Sequence, residues 1–212
     1  MNSKLPDDAI IYVVDDDDSV RKALTRMLKT EGWNVSAFPS AEDFLAEARS
    51  DVSGCVLLDV QMPGQSGLEL QELLVTHRIG LPIIFMTAHG DIPMTVKAIK
   101  AGAVDFLSKP VDRECLLQLV EEAVILHAQQ QGDRAILDAF RKRIDSLTGR
   151  EREVMGLVVE GLLNKQIAAR LEITEFTVKV HRGRAMRKAE VESVAELVAQ
   201  WERAGLAVPP SS

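Results

Sequence analysis

Five short apolar, β-branched runs alternate with amphipathic stretches over the first 126 residues, and this alternation restricts the fold more than any other feature. The runs are 9–14 (AIIYVV), 34–38 (NVSAF), 54–58 (GCVLL), 81–86 (LPIIFM) and 104–107 (VDFL). Most are continuously apolar, as strands buried on both faces are. Between them the spacing predicts helices over 19–30, 40–49, 66–77 and 93–101. The first stops at Gly32, the second opens on Ser40 with Asp43 as a capping-box-like pair, and the last closes at Gly102. Strands alternating with helices require crossover connections, so the fold class is α/β with a doubly wound, five-stranded parallel sheet.

The remainder of the chain has a different period. From about 112 to 144 the pattern is helical, with an interruption at 129–132 (QQQG), and residues 127–145 are expected to form a partly helical linker. From Ser146 onward the sequence is all-helical, with segments at 149–160, 164–171, 175–188 and 193–203. Thr148 and Glu151 are spaced as a capping box, Asn164 is placed to cap the next helix, and Glu172–Thr174 turns into a third. Two short helices joined by a tight turn form a helix-turn-helix. The tail GLAVPPSS reads as disordered. The expected domains are therefore 1–126, a linker at 127–145, and a small all-α domain at 146–212.

A length of 212 residues suits two domains, and 46% apolar with 27% charged residues excludes a disordered or fibrous chain. No apolar run approaches the roughly 18 to 20 residues of a membrane-spanning helix. The N-terminus MNSKLPDDA has no basic n-region or apolar core, so a cytoplasmic protein with no membrane partner is expected. Cys55 and Cys115 lie far apart in apolar stretches, which fits buried reduced thiols better than a disulfide or metal site. Charge divides the chain. Residues 1–126 carry 20 acidic against 11 basic residues, whereas 146–212 carry 9 against 10. The first part could hold a cation; the second can meet a polyanion only through a local basic face.

In a doubly wound sheet, ligands sit beyond the C-terminal ends of the strands, near the point where strand order reverses. Asp15 and Asp16 end the first run, Asp59 ends the third, Thr87 follows the fourth and Lys109 follows the fifth. All five polar groups would converge on one rim. Three carboxylates together repel unless a positive charge sits among them, and Mg²⁺ favours such oxygen ligands. Taken alone, DDDD at 15–18 is an ordinary acidic run, with Asp17 and Asp18 suited to the start of a helix. Lys109 alone would read as a snorkelling surface lysine. Their placement at successive strand ends gives them a shared meaning. His77, His89, His127 and His181 are scattered without metal-ligand spacing.

In the helical domain, Lys179, Arg182, Arg184, Arg187, Lys188 and His181 occur with no acid between Phe176 and Ala189. That density suits phosphate contacts, although a solvated basic face is the plainer reading of a lone helix. Val180, if on the exposed side, could touch a thymine methyl.

Four segments carry a family resemblance: VVDDD at 13–17, LLDVQMPGQSG at 57–67, MTAHGD at 86–91 and AGAVDFLSKP at 101–110. Over nearly all of 9–126 the chain resembles the receiver domain of response regulators. The resemblance implies that Asp59 accepts a phosphoryl group from the phosphohistidine of a sensor histidine kinase. It implies that Asp16 and Asp59 ligate Mg²⁺ (or Mn²⁺) directly, with Asp15 acting through water and the backbone carbonyl of Gln61 as a further ligand. Lys109 would neutralise the transferring phosphoryl group and precede a cis bond to Pro110. Thr87 would swing its hydroxyl onto the phosphoryl oxygens, and Phe106, often tyrosine in the family, would act with it as the switch, buried in both states. Met62, Pro63, Gly64 and Gly67 look like the turn after the acceptor, Ala88 leaves room for the phosphoryl group, and His89 would rim the pocket.

Residues 146–191, containing LTGREREVMGLVVEGLLNKQIAARLEITEFTVKVHRGRAMRK, resemble the LuxR-type DNA-binding domain. By that resemblance 175–188 is the recognition helix. Lys179, Val180, His181, Arg182 and Arg184 would face the groove or phosphates, and Thr174, Thr177 and Lys165 would contact the backbone. Gly183 departs from the bulkier or basic residue common in this helix. Both halves together are similar to the FixJ-like branch of two-component response regulators. They imply a phosphorylation-activated transcriptional regulator that binds double-stranded promoter DNA and forms a homodimer on phosphorylation, with RNA polymerase as a further candidate partner. Such a protein is no enzyme beyond its own phosphoryl transfer and dephosphorylation. A stand-alone aspartyl phosphatase or transferase would leave residues 146–212 without a task. A phosphorylation-independent DNA-binding regulator, using its receiver only for dimerisation, would leave the complete set of pocket residues unexplained.

Overall fold

Apolar residues on alternate sides of each strand build two cores, one on either face of a single sheet. A computed structural model describes residues 5–49, 52–77, 79–88, 96 and 98–207 of the chain. The strands are β1 (Ile10–Val14), β2 (Asn34–Phe38), β3 (Gly54–Asp59), β4 (Ile83–Thr87) and β5 (Asp105–Ser108). They lie in the order β2-β1-β3-β4-β5, every neighbouring pair parallel. Tyr12, Val14, Val56, Leu58, Ile83 and Phe85 face a core that includes Phe44, Leu70 and Leu74. Ile11, Val13, Cys55, Leu57, Ile84 and Met86 face the other, with Leu24, Leu28, Leu116, Val120 and Val124. Burial on both faces is why the runs are continuously apolar.

The helices of this part are α1 (Asp18–Thr30), α2 (Ala41–Glu47), α3 (Gly67–Thr76) and α4 (Arg113–Asp145). Side-chain oxygens of Asp17, Ser40 and Ser66 accept hydrogen bonds from the first backbone N–H groups of α1, α2 and α3, satisfying donors that a helix start leaves unpaired. The helix expected over 93–101 falls partly outside the described residues, and His89 lies outside them.

The chain divides into two compact units between Gln131 and Gly132, within α4. Gln129–Gly132 do not interrupt this helix, contrary to expectation. Tertiary contacts hold it: the Gly54 N–H donates to buried His127 Nδ1 (3.1 Å), and Gln131 Nε2 donates to the Val52 carbonyl (3.3 Å). The residues expected to form a linker are thus shared out. His127 and Gln131 belong to the first unit, while Phe140 and Ile144 are buried in the core of the second. Cys55 is buried, but Cys115 is exposed rather than buried as expected.

The second unit adds α5 (Gly149–Val159), α6 (Asn164–Arg170), α7 (Glu175–Ala189) and α8 (Val194–Arg203). Its core gathers Val154, Met155, Ile167, Val178, Ala185, Leu197 and Trp201. The guanidinium of Arg141 donates twice to the Ala204 carbonyl (3.0 and 2.8 Å), fastening the end of α4 to the end of α8. Thr148 and Glu151 form the expected capping box on α5. At α6 the cap is Leu163, not Asn164, and it has no side-chain oxygen to offer; only Gln166 reaches back to the Leu163 N–H (2.8 Å). Of the tail expected to be disordered, Leu206 packs against the core, and 208–212 lie outside the described residues. No helix among the described residues is long and apolar enough to cross a membrane.

Candidate functional site

Strand order reverses between β1 and β3, and the acidic residues stand at the C-terminal ends of those two strands. Carboxylate oxygens of Asp15, Asp16 and Asp59 all lie within 4.8 Å of one another. Asp15 and Asp59 are buried, whereas Asp16 is exposed. Lys109, just beyond β5, places Nζ 2.7 Å from Asp15 Oδ2 and 3.0 Å from Asp59 Oδ2. Thr87 ends β4 fully buried, its carbonyl accepting the Lys109 N–H (2.7 Å), and the Lys109–Pro110 bond is cis. The turn after β3 is equally constrained. A Cβ at Gly67 would meet the Asp59 carbonyl oxygen at 2.3 Å, so only glycine lets α3 begin against the end of β3.

Electrostatics at the rim pull in opposing directions. Burial is the largest influence on Asp59 and lifts its carboxyl above the usual range, helped by the charge of Asp15 and opposed by Lys109 and the Gln61 N–H. For Lys109, burial lowers the ammonium, but hydrogen bonds and charge from Asp15 and Asp59 outweigh it and the net direction is upward. Three carboxylates facing one ammonium leave negative charge uncompensated. That donor set, all oxygen and partly exposed, fits a hard divalent cation such as Mg²⁺. Asp16 is the most available of the three: Lys109 holds Asp15 Oδ2 and the Asp17 N–H its Oδ1 (2.9 Å), while Lys109 also holds Asp59 Oδ2 and the Gln61 N–H its Oδ1 (3.4 Å).

Reading the sequence missed Arg21. Its Nη1 donates to the carbonyls of both Asp15 (2.7 Å) and Asp16 (2.9 Å), and its Nη2 pairs with Asp18, so α1 clamps the loop that carries the acidic pair. The i,i+3 spacing marks its pairing with Asp18, but no pattern marks its bonds to the two main-chain carbonyls. Phe106, expected buried, is half-buried and packs on Phe85 with ring centroids 5.7 Å apart.

A second candidate surface is α7. Lys179 and Arg184 are exposed, as is Lys165 on α6. Thr174 caps α7, its Oγ1 accepting the Thr177 N–H (3.1 Å) and sharing a hydrogen bond with Thr177 Oγ1 (2.8 Å). Val180 and His181 are half-buried. Arg182, expected to meet groove or phosphate, instead donates to Asn164 Oδ1 (2.9 Å) within the unit. Lys188 likewise turns inward, to buried Glu151 (2.6 Å).

Comparison with known proteins matches this division. Residues 11–121 match the response regulator receiver domain family, and residues 145–200 match the bacterial regulatory proteins of the luxR family. The chain is 44% identical to nodulation protein W of Bradyrhizobium diazoefficiens over 93% of this chain and 87% of that one. It is 45% identical to the response regulator protein TodT of Pseudomonas putida over 92% and 86%. The solved structure of the response regulator StyR superposes with a TM-score of 0.80 at 47% identity, covering 92% of this chain and 99% of that one.

Proposed function

Because the chain belongs to the two-component response regulators that join a receiver domain to a LuxR-type helix-turn-helix, we propose that phosphorylation of Asp59 controls its binding to promoter DNA. The observation that carries this reading is the Lys109 ammonium bridging Asp15 and Asp59 beside the exposed carboxylate of Asp16. A sensor histidine kinase is the phosphoryl donor. An Asp59 carboxylate oxygen attacks phosphorus as the P–N bond of the phosphohistidine breaks, the imidazole leaves, and an acyl phosphate forms. Lys109, already 3.0 Å from Asp59 Oδ2, supplies positive charge beside the reacting oxygen, the kind of preorganised charge that lowers such barriers.

Asp16 and Asp59 would hold Mg²⁺ or Mn²⁺ directly, Asp15, the most deeply buried of the three, through water, and the Gln61 carbonyl would complete the set. When bound, the ion supplies positive charge against the transferring phosphoryl oxygens. Thr87 follows the phosphoryl group with its hydroxyl, and Phe106 repacks against Phe85 as the switch. Hydrolysis of the acyl phosphate by water resets the protein, and this self-directed chemistry is all the catalysis we assign. On the output side, Lys165, Thr174, Thr177, Lys179, Val180 and Arg184 meet DNA, with His181 and Arg182 at the edge of that face. Phosphorylation favours a homodimer on double-stranded promoter DNA in the cytoplasm, where RNA polymerase is the downstream partner.

The test is DNA affinity, measured by fluorescence anisotropy on duplexes selected from the parent genome. A small-molecule phosphodonor with Mg²⁺ should tighten binding by the wild type and leave Asp59→Asn unchanged. Equal tightening in both, or none in either, contradicts the proposal.

A further inference from the structure

We infer, resting on the DNA-binding reading above, that α7 reads thymine methyl groups through an outward apolar pair, Phe176 and Val180, and that Gly183 lets the helix approach the bases closely. The phase of the helix supports this. Val178, Ala185 and Ala189 are buried in the core of the second unit, at spacings of seven and four residues. At 3.6 residues per turn, the side opposite them carries Phe176, Val180, Gly183 and Arg187, themselves at i, i+4, i+7 and i+11.

That stripe has an unusual composition for a surface. Phe176 is 76% exposed, an aromatic ring left to solvent on the first turn of α7. Val180 is half-buried, and Gly183 has open space where a Cβ would stand. The Arg187 Nε donates back to the Gly183 carbonyl (3.2 Å), so its head follows the helix rather than projecting from the stripe. A glycine inside a helix lowers its stability, which points to a need for close approach at that position. Lys179 and Arg184, both exposed, border the stripe on its two sides. An apolar centre between two cations complements a groove whose walls are phosphates and whose floor carries methyl groups.

Hydrogen-bond readout has little to work with on the stripe itself. The opening residues of a recognition helix are those that reach base edges, and in the first two turns the stripe offers no Asn, Gln or Arg for a bidentate contact. Arg182, the one guanidinium in those turns, is bonded to Asn164. Lys179 beside the stripe can still reach a guanine edge, but apolar contact with thymine is the readout Phe176 and Val180 themselves can perform.

To test this, the full-length wild type, treated with a small-molecule phosphodonor and Mg²⁺, selects duplexes from a random-sequence pool, and the most enriched duplex is resynthesised with uracil at each thymine in turn, which removes only a methyl group. Uracil at one or two positions per half-site should weaken wild-type binding roughly fourfold each, from the ordinary value of one buried carbon. Phe176→Ala should lose sensitivity at one such position and Val180→Ala at another, with the salt dependence of both unchanged. Gly183→Leu, whose Cβ has open space within the protein, should keep the fold by circular dichroism and lose affinity more than tenfold. Equal binding of thymine and uracil duplexes, or full methyl sensitivity in both alanine variants, overturns the inference alone. Failure to enrich any duplex overturns the DNA-binding reading with it.

Discussion

The acidic rim and the basic helix hold charge in opposite ways. At the rim, the groups come from the ends of four different strands, and Asp15, Asp59 and Thr87 are buried with exposures of 0, 7 and 1%. On α7 the candidate groups share one helix and none is fully buried, and two of its cations pair within the unit, Arg182 with Asn164 and Lys188 with Glu151. At a strand end, position in the fold settles what a residue can do. On a helix, rotational phase and internal partners decide it, so counting cations overstates what is available to DNA.

Removing a rim group should therefore have the largest effect. Lys109→Ala should slow phosphorylation by a small phosphodonor about 10²–10³-fold, the usual cost of losing one preorganised donor at a developing anion. A loss below tenfold in stopped-flow traces would mean that the divalent ion suffices and that the ammonium is not part of the device.

Next comes the inward-facing charge. Glu151 accepts hydrogen bonds from Lys188 Nζ and the Thr148 N–H, and these, Lys188 first, hold its carboxyl down at about 2 from an ordinary 4.5. Glu151→Ala should destabilise the second unit by about 2 kcal/mol through loss of the cap and of a charged hydrogen bond. Hydrogen exchange of the α5–α8 amides reads this locally. Because the folded value lies below the unfolded one, the stabilisation is fully present at neutral pH. It declines as pH falls below about 4.5 and is gone near pH 2, where wild type and variant should converge. A gap that persists at pH 2 would place the effect in packing rather than charge.

A smaller effect separates the outward from the inward cations. Lys179→Ala should weaken DNA binding roughly tenfold and flatten the slope of log affinity against log salt by about one unit, whereas Arg182→Ala should leave the slope alone. Equal slopes for the two variants would erase the distinction drawn here. Smallest is Leu163→Ser, which gives α6 the side-chain oxygen its start lacks and removes little packing, since Leu163 is 70% exposed. It should stabilise the second unit by about 1 kcal/mol in urea unfolding. Destabilisation instead would show that this leucine packs in a way its exposure conceals.

The same contrast explains what could be read from residues alone. The sheet and the convergence of Asp15, Asp16, Asp59, Thr87 and Lys109 were legible because runs buried on both faces mark strands, and parallel strands bring all their ends to one rim. The capping pair Thr148 and Glu151 was legible because it is local. Arg21 was not, because its partners are main-chain carbonyls that offer no pattern. The continuity of α4 through Gln129–Gly132 was hidden because contacts to Gly54 and Val52, far away in sequence, override a local helix-breaking signal. The inward turns of Arg182 and Lys188 were hidden because a basic stretch does not show its own phase. Asn164 was misplaced by one position, the helix starting at it rather than after it.

The central claim is that the rim makes Asp59 a phosphoryl acceptor. Mass spectrometry of the intact protein after incubation with acetyl phosphate and Mg²⁺, followed by peptide mapping, tests it most directly. One phosphoryl group on the peptide bearing Asp59, absent from Asp59→Asn and from chelator-treated wild type, is the predicted result. An unmodified wild type, or a phosphoryl group that persists in Asp59→Asn, would contradict it.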